Sequence, residues 1–141
     1  MAGIYIHIPF CSQACSYCDF HFSTSLKNKS NIISAINMEL KNEQKYLEGE
    51  SISTIYFGGG TPSLIDNILI ESILRTIQNN FNVSDHLECT IEANPEDISS
   101  NKINDWFTLG FNRISLGVQS FRAQDLNYMN RIHTQEQSLR S

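Results

Sequence analysis

Apolar and polar positions follow two periods along this chain, and the periods take turns. The run Ile4-Tyr5-Ile6-His7-Ile8-Pro9-Phe10 is strand-like, and it predicts a first strand over Gly3 to Ile8. A polar stretch, Ser23 to Ser30, reads as a surface connection. Ile33, Ile36, Leu40 and Leu47 then fall on one face of a helix over Asn31 to Leu47, with Gly49 placed to end it. A second strand, Ser53 to Phe57, leads into Gly58-Gly59-Gly60-Thr61-Pro62-Ser63. Ile70, Ile73, Leu74 and Ile77 mark a helix over Asp66 to Asn79. A third strand, Glu88 to Ala93, stops at Asn94-Pro95. A helix over Ser100 to Leu109 follows, with Ile103, Trp106 and Phe107 as its expected buried face and Gly110 beyond its end. The fourth strand is Asn112 to Leu116, then comes a short helix over Ala123 to Met129. Thr134-Gln135-Glu136-Gln137 reads as a capping box that opens another helix.

Repeated βα units with short loops predict an α/β fold with a parallel sheet. Both a doubly wound sheet and a (β/α) barrel fit. Both bind ligands at the C-terminal ends of their strands. The residues with chemistry gather there: cysteines after strand one, glycines after strand two, Glu92 at the end of strand three and Gln119 after strand four.

The cysteines carry the strongest signal. Cys11, Cys15 and Cys18 are spaced C-x3-C-x2-C on one short loop. Three thiolates there can hold three irons of a [4Fe–4S] cluster and leave the fourth open to another ligand, whereas most such clusters are closed by four cysteines. Structural zinc would want a second pair of ligands, and none follows, although His7 or His21 could supply a fourth. An even count of four cysteines also permits disulfides, but nothing in the chain points to secretion. Cys89 reads as a buried core thiol and not a cluster ligand. His86 and His133 have no metal-ligand spacing.

The glycine run lacks the Lys-Ser/Thr of a P-loop and is not G-x-G-x-x-G. It reads as a turn whose backbone N–H groups form an anion-binding concavity, or as a plain tight βα turn. Glu92 could accept two ribose hydroxyls or be a solvated loop acid.

Composition narrows the picture. The chain has 141 residues, the size of one domain, with a net charge of -5 that argues against nucleic acid as the main partner. No stretch approaches the roughly 18 apolar residues of a membrane span. The first strand begins almost at the N-terminus, which leaves no room for a signal peptide, so a cytoplasmic location is expected.

Taken together, Tyr5 to Cys11, Cys18-Asp19-Phe20, Phe57 to Ser63, Glu92 to Glu96 and Arg113 to Phe121 resemble the coproporphyrinogen III oxidase-like group of radical S-adenosylmethionine (SAM) enzymes. Within that group the similarity is greatest to the branch of HemW-type haem chaperones. The resemblance spans essentially the whole chain. It implies the N-terminal part of a partial (β/α)6 barrel, with about four of six βα units in residues 1–141.

The resemblance also implies roles. Cys11, Cys15 and Cys18 would ligate a [4Fe–4S] cluster. Tyr5 and Tyr17 would flank SAM, Gly60 and Thr61 would contact its methionyl end, Glu92 would take the ribose, and Gln119 and Arg131 would complete the pocket. The reduced cluster would cleave SAM to methionine and a 5′-deoxyadenosyl radical. An electron donor protein is implied, with haem as cargo and respiratory proteins as its acceptors. The porphyrinogen-oxidising branch of the group, which serves porphyrin biosynthesis, has a further cysteine where Phe20 stands, and a long arm before the motif where only ten residues precede Cys11. Both departures favour the chaperone branch over an oxygen-independent coproporphyrinogen III dehydrogenase. The residues that branch uses for haem would lie beyond Ser141.

Overall fold

The expected alternation folds into one parallel sheet with its three longer helices against one face. A computed structural model describes residues 2–141. The strands are β1 (Ala2–Ile8), β2 (Ile52–Gly59), β3 (Val83–Ala93) and β4 (Arg113–Leu116), and they lie in chain order, every pair parallel. The helices are α1 (Lys29–Asn42), α2 (Asn67–Asn80), α3 (Ser100–Leu109), α4 (Ala123–Tyr128) and α5 (Gln135–Arg140).

Side chains alternate across a strand, so register decides what each face carries. Ile6, Phe57 and Ile91 share one row and are buried. With Ile8, Ile55 and Cys89 they pack against Ile33 and Leu40 of α1, Ile70, Ile73, Leu74 and Ile77 of α2, and Trp106 of α3. The adjacent row, Tyr5, Tyr56, Thr90 and Arg113, faces the other way. That face is polar: it adds His7, Glu92 and Ser115 one step further along the strands. A doubly wound sheet would bury both faces in apolar side chains. A one-sided sheet with a polar inner face is the wall of a barrel.

Three expectations shift. The helix expected over Asn31 to Leu47 starts earlier, at Lys29, where the Lys29 ammonium pairs with Asp66 at 2.6 Å. It tightens into a 3-10 turn over Glu43–Leu47, and Glu48 (φ 49°) takes the left-handed position before Gly49 does. The third strand extends back to Val83, across a shift in its register with β2.

The buried face of α3 is the clearest correction. Trp106 is buried, but Ile103 is 39% and Phe107 76% exposed, while Leu109 packs on the core. Successive helical residues turn by about 100°. The helix is therefore rotated so that Trp106 and Leu109 face the core beside α2, and Phe107 points outward. The capping box of α5 forms as expected: Thr134 Oγ1 accepts from the Gln137 N–H at 3.2 Å, and Gln137 Oε1 accepts from the Thr134 N–H at 2.8 Å.

Candidate metal and cofactor centre

The loop after β1 leaves the sheet at Phe10 and returns to it at Ser23. Its neck is closed by a parallel bridge between these residues, with the Cys11 N–H donating to Ser23 O at 3.1 Å and the Ser23 N–H to Pro9 O at 2.8 Å. Cys11, Cys15 and Cys18 lie within this closed loop, each half-buried and unbonded to another cysteine. Among the described residues no three His, Cys, Asp or Glu side chains converge on a point where a single ion would sit.

Of the two readings of the glycine turn, the plain tight turn is the one its hydrogen bonds fit. Gly60 donates its N–H to Ile8 O at 2.8 Å, and Thr61 to Phe10 O at 2.7 Å. The Gly59 N–H goes to Glu92 Oε2 at 3.2 Å. These donors are spent inside the protein, so the turn is no anion cradle; it staples β2 to the neck of the cysteine loop. The closeness explains the residue type: a Cβ on Gly60 would lie 2.5 Å from Phe10 O.

Glu92 is held from both oxygens. The Tyr56 hydroxyl donates to Oε1 at 2.7 Å, which raises the Tyr56 pKa, helped by burial. With the Gly59 N–H on Oε2, the carboxylate has one orientation before any ligand arrives.

Arg131 joins the loop to the strand ends. Its Nη2 donates to Asn94 Oδ1 at 2.7 Å and to Gly117 O at 2.9 Å, while Nη1 reaches Cys15 Sγ at 3.5 Å. Its Nε is buried without a partner. Asn94 completes the link by donating from Nδ2 to Thr61 Oγ1 at 3.4 Å.

These groups surround one cavity of about 390 Å³, within the range of about 300–1,000 Å³ usual for small-molecule sites. It is lined by Cys11, Cys15, Cys18, Tyr17, Gly60, Thr61, Glu92, Gln119 and Arg131. Nine of the ten expected site residues thus meet at one place. Tyr5 is the exception. It sits on β1, stacked on Tyr56 at 5.9 Å between ring centroids, deeper on the polar face and outside the cavity lining. Burial and the Glu92 charge raise its pKa. Gln119 holds a left-handed backbone (φ 65°) that turns the chain back towards the cavity after β4. Burial raises the Cys11 thiol, opposed by its hydrogen bond with Thr61, and burial likewise raises the Tyr17 phenol. Cys89 lies in the core, 1% exposed, and burial pushes its thiol up to about 12.

Several members of the site carry no motif. Gln13 and Asn130 tie the cysteine loop to the segment before Arg131, and Ser16 donates from its N–H to Met129 O (3.2 Å) and from Oγ to Tyr128 O (2.8 Å). Asn94 and Glu96 line the cavity beside Glu92. These last two belong to the stretch Glu92 to Glu96 that carries the family resemblance, but neither stands out there as a site residue.

A parallel βα wall that presents three loop cysteines beside a glycine turn and a fixed carboxylate is the arrangement of a radical SAM protein. The chain belongs to the radical SAM superfamily, which it matches over residues 5–141. It is similar to the haem chaperone HemW of Escherichia coli (strain K12), at 36% identity over 142 residues, covering 99% of this chain and 37% of that protein. It is also 34% identical to the mitochondrial radical S-adenosyl methionine domain-containing protein 1 of Danio rerio, covering 99% of this chain and 32% of the relative. Among solved structures it resembles the coproporphyrinogen III oxidase HemN of Escherichia coli, a radical SAM enzyme. The TM-score is 0.88 at 27% identity, with 98% of this chain and 32% of that one covered. The chain thus spans about a third of the length of these proteins. Among the described residues no helix is long and apolar enough to cross a membrane.

Proposed function

We propose that Cys11, Cys15 and Cys18 hold a [4Fe–4S] cluster and that SAM occupies the cavity beside it. The protein of which this cavity is part carries haem to acceptor proteins. The donor set fits the cluster: three free thiols with open surroundings and a guanidinium N–H within reach of one sulfur, of the kind that tunes cluster potentials. When bound, the cluster supplies an electron from a donor protein to the SAM sulfonium.

The chain's own residues do the rest. Glu92, fixed by Tyr56 and Gly59, presents its remaining lone pairs to the ribose hydroxyls. Arg131 offers a positive charge beside Cys15 for the methionyl carboxylate. Gly60 and Thr61 bring the turn against the same end, and Gln119 and Tyr17 close the rim. Tyr5, behind Gly58, supports Tyr56 and so acts on SAM through Glu92. The observation that carries this reading is Arg131, which touches a cysteine sulfur and the strand-end Asn94 at once.

Haem delivery, with respiratory proteins as acceptors, is supported by the 36% identity to HemW and by Phe20. This ring lines the cavity and is 68% exposed where the oxidising branch would place a thiol. The deciding experiment is anaerobic. Protein reconstituted with iron and sulfide is given SAM, a reductant and coproporphyrinogen III, beside a haem titration. Haem binding without protoporphyrinogen is expected. Porphyrinogen turnover would move the protein to the dehydrogenase reading.

A further inference from the structure

His133 is buried, 2% exposed, two residues beyond Arg131. Its Nε2 lies 3.0 Å from Val118 O, and a carbonyl can only accept, so Nε2 carries a proton. Its Nδ1 has two neighbours: Arg131 Nη2 at 3.4 Å and Glu96 Oε2 at 3.2 Å. Nη2 has two hydrogens, and these are taken by Asn94 Oδ1 at 2.7 Å and Gly117 O at 2.9 Å. None remains for the imidazole. Glu96 Oε2 is buried and meets no other donor. A proton placed between Nδ1 and the Glu96 carboxylate satisfies both groups.

That proton has an electrostatic consequence. Glu96 lines the cavity and shares the environment of Arg131, because both approach the same ring nitrogen. An unneutralised carboxylate there would pair with the guanidinium and repel an anion. With His133 in place the Glu96 charge is answered locally. Besides His133, Arg131 meets two oxygens of neutral groups and the Cys15 sulfur, and among the described residues no carboxylate contacts it.

We infer that His133 is a positioning residue that neutralises Glu96 and so keeps the charge of Arg131 free for an anionic group of the ligand, a carboxylate. The inference rests on the reading of this cavity as the SAM site. His133 touches no ligand itself; it acts through Glu96 and through the Val118 carbonyl that holds the loop after β4.

The test is a rescue, by calorimetric titration of SAM into the reconstituted protein. H133Q should bind SAM at least about tenfold more weakly, the scale of a lost charge-assisted contact. Adding E96Q to that variant should restore affinity to within about threefold, since the unanswered carboxylate is then gone. Unchanged binding in H133Q, or a loss that E96Q does not restore, would overturn the inference. Should H133Q fail to fold, ¹⁵N resonances of His133 in the wild-type protein decide: neither nitrogen should show the shift of a free lone pair, and a free lone pair at Nδ1 would refute the assignment. Wild-type protein that takes up the cluster but no SAM would instead strike the function proposed above, and the nitrogen shifts would still report on the pair.

Discussion

Gln13 and Asn130 stand 117 residues apart and hold each other directly. The Gln13 amide donates to Asn130 Oδ1 at 2.6 Å and to its backbone carbonyl at 3.0 Å, and Asn130 Nδ2 returns a bond to Ala14 O at 2.8 Å. Asn130 also holds a left-handed backbone (φ 57°), which asparagine adopts more readily than most residues. Asn130→Ala removes the two side-chain contacts, leaves the one to the backbone carbonyl and strains the turn. Each is worth about 0.5–1.5 kcal/mol. The expected result is at least about tenfold faster loss of the cluster to a chelator, followed by absorbance. An unchanged release rate would mean the loop holds its shape alone.

Tyr56→Phe tests the orientation of Glu92. A hydrogen bond to a charged group contributes about 1.5–3 kcal/mol, and the ring packing on Tyr5 survives the change. SAM affinity should fall about tenfold with the cluster content intact. Glu92→Ala should lose at least as much. Wild-type affinity in Tyr56→Phe would show that the Gly59 N–H alone fixes the carboxylate.

Cys89 should behave unlike the other thiols. With its pKa at about 12 in the fold against 9.0 otherwise, it stays protonated where the unfolded chain would ionise. Above pH 9 the unfolded state therefore binds fewer protons than the native one, and stability falls with rising pH at up to about 1.4 kcal/mol per unit. Below pH 9 this contribution is fully present. Cys89→Ala should remove that part of the alkaline slope, read from urea titrations at several pH values. At pH 8 iodoacetamide should label Cys11, Cys15 and Cys18 of cluster-free protein, and Cys89 only after denaturation.

The rotation of α3 can be checked by two substitutions. Trp106→Ala should cost about 3–5 kcal/mol, as large buried aromatic truncations do. Phe107→Glu, one residue on, should leave stability within about 0.5 kcal/mol, as exposed changes do. A large loss at Phe107 would place that ring against the core.

Much of this was legible in the chain because two signals agree wherever burial is one-sided. Helical spacing of Ile70, Ile73, Leu74 and Ile77 identifies a face that is fully used. In α3 the same kind of pattern misleads, because Ile103 and Phe107 lie together on one side of Trp106 and Leu109 lies on the other, and spacing does not say which side the core takes. The cysteine spacing is local and could be read. The pairing of Gln13 with Asn130, and of Glu96 with His133, is not, because each partner is a common polar residue until topology brings them together. The sequence leaves the glycine turn between two readings for a related reason. Its N–H groups looked available from the sequence, and only the neighbouring carbonyls of Ile8 and Phe10 reveal where they go.

The two staples from Gly60 and Thr61 set a limit on portability. The octapeptide Cys11 to Cys18 contains every expected iron ligand, and one might transplant it onto another βα protein. Its neck, however, is fastened to the turn after a different strand, and its crown to the residues before Arg131. The smallest transferable piece is a discontinuous one: the segment from Ile4 to Ser23, the turn Phe57 to Ser63, and the clasp Tyr128 to Arg131. A graft of the loop alone would carry the ligands without their seat.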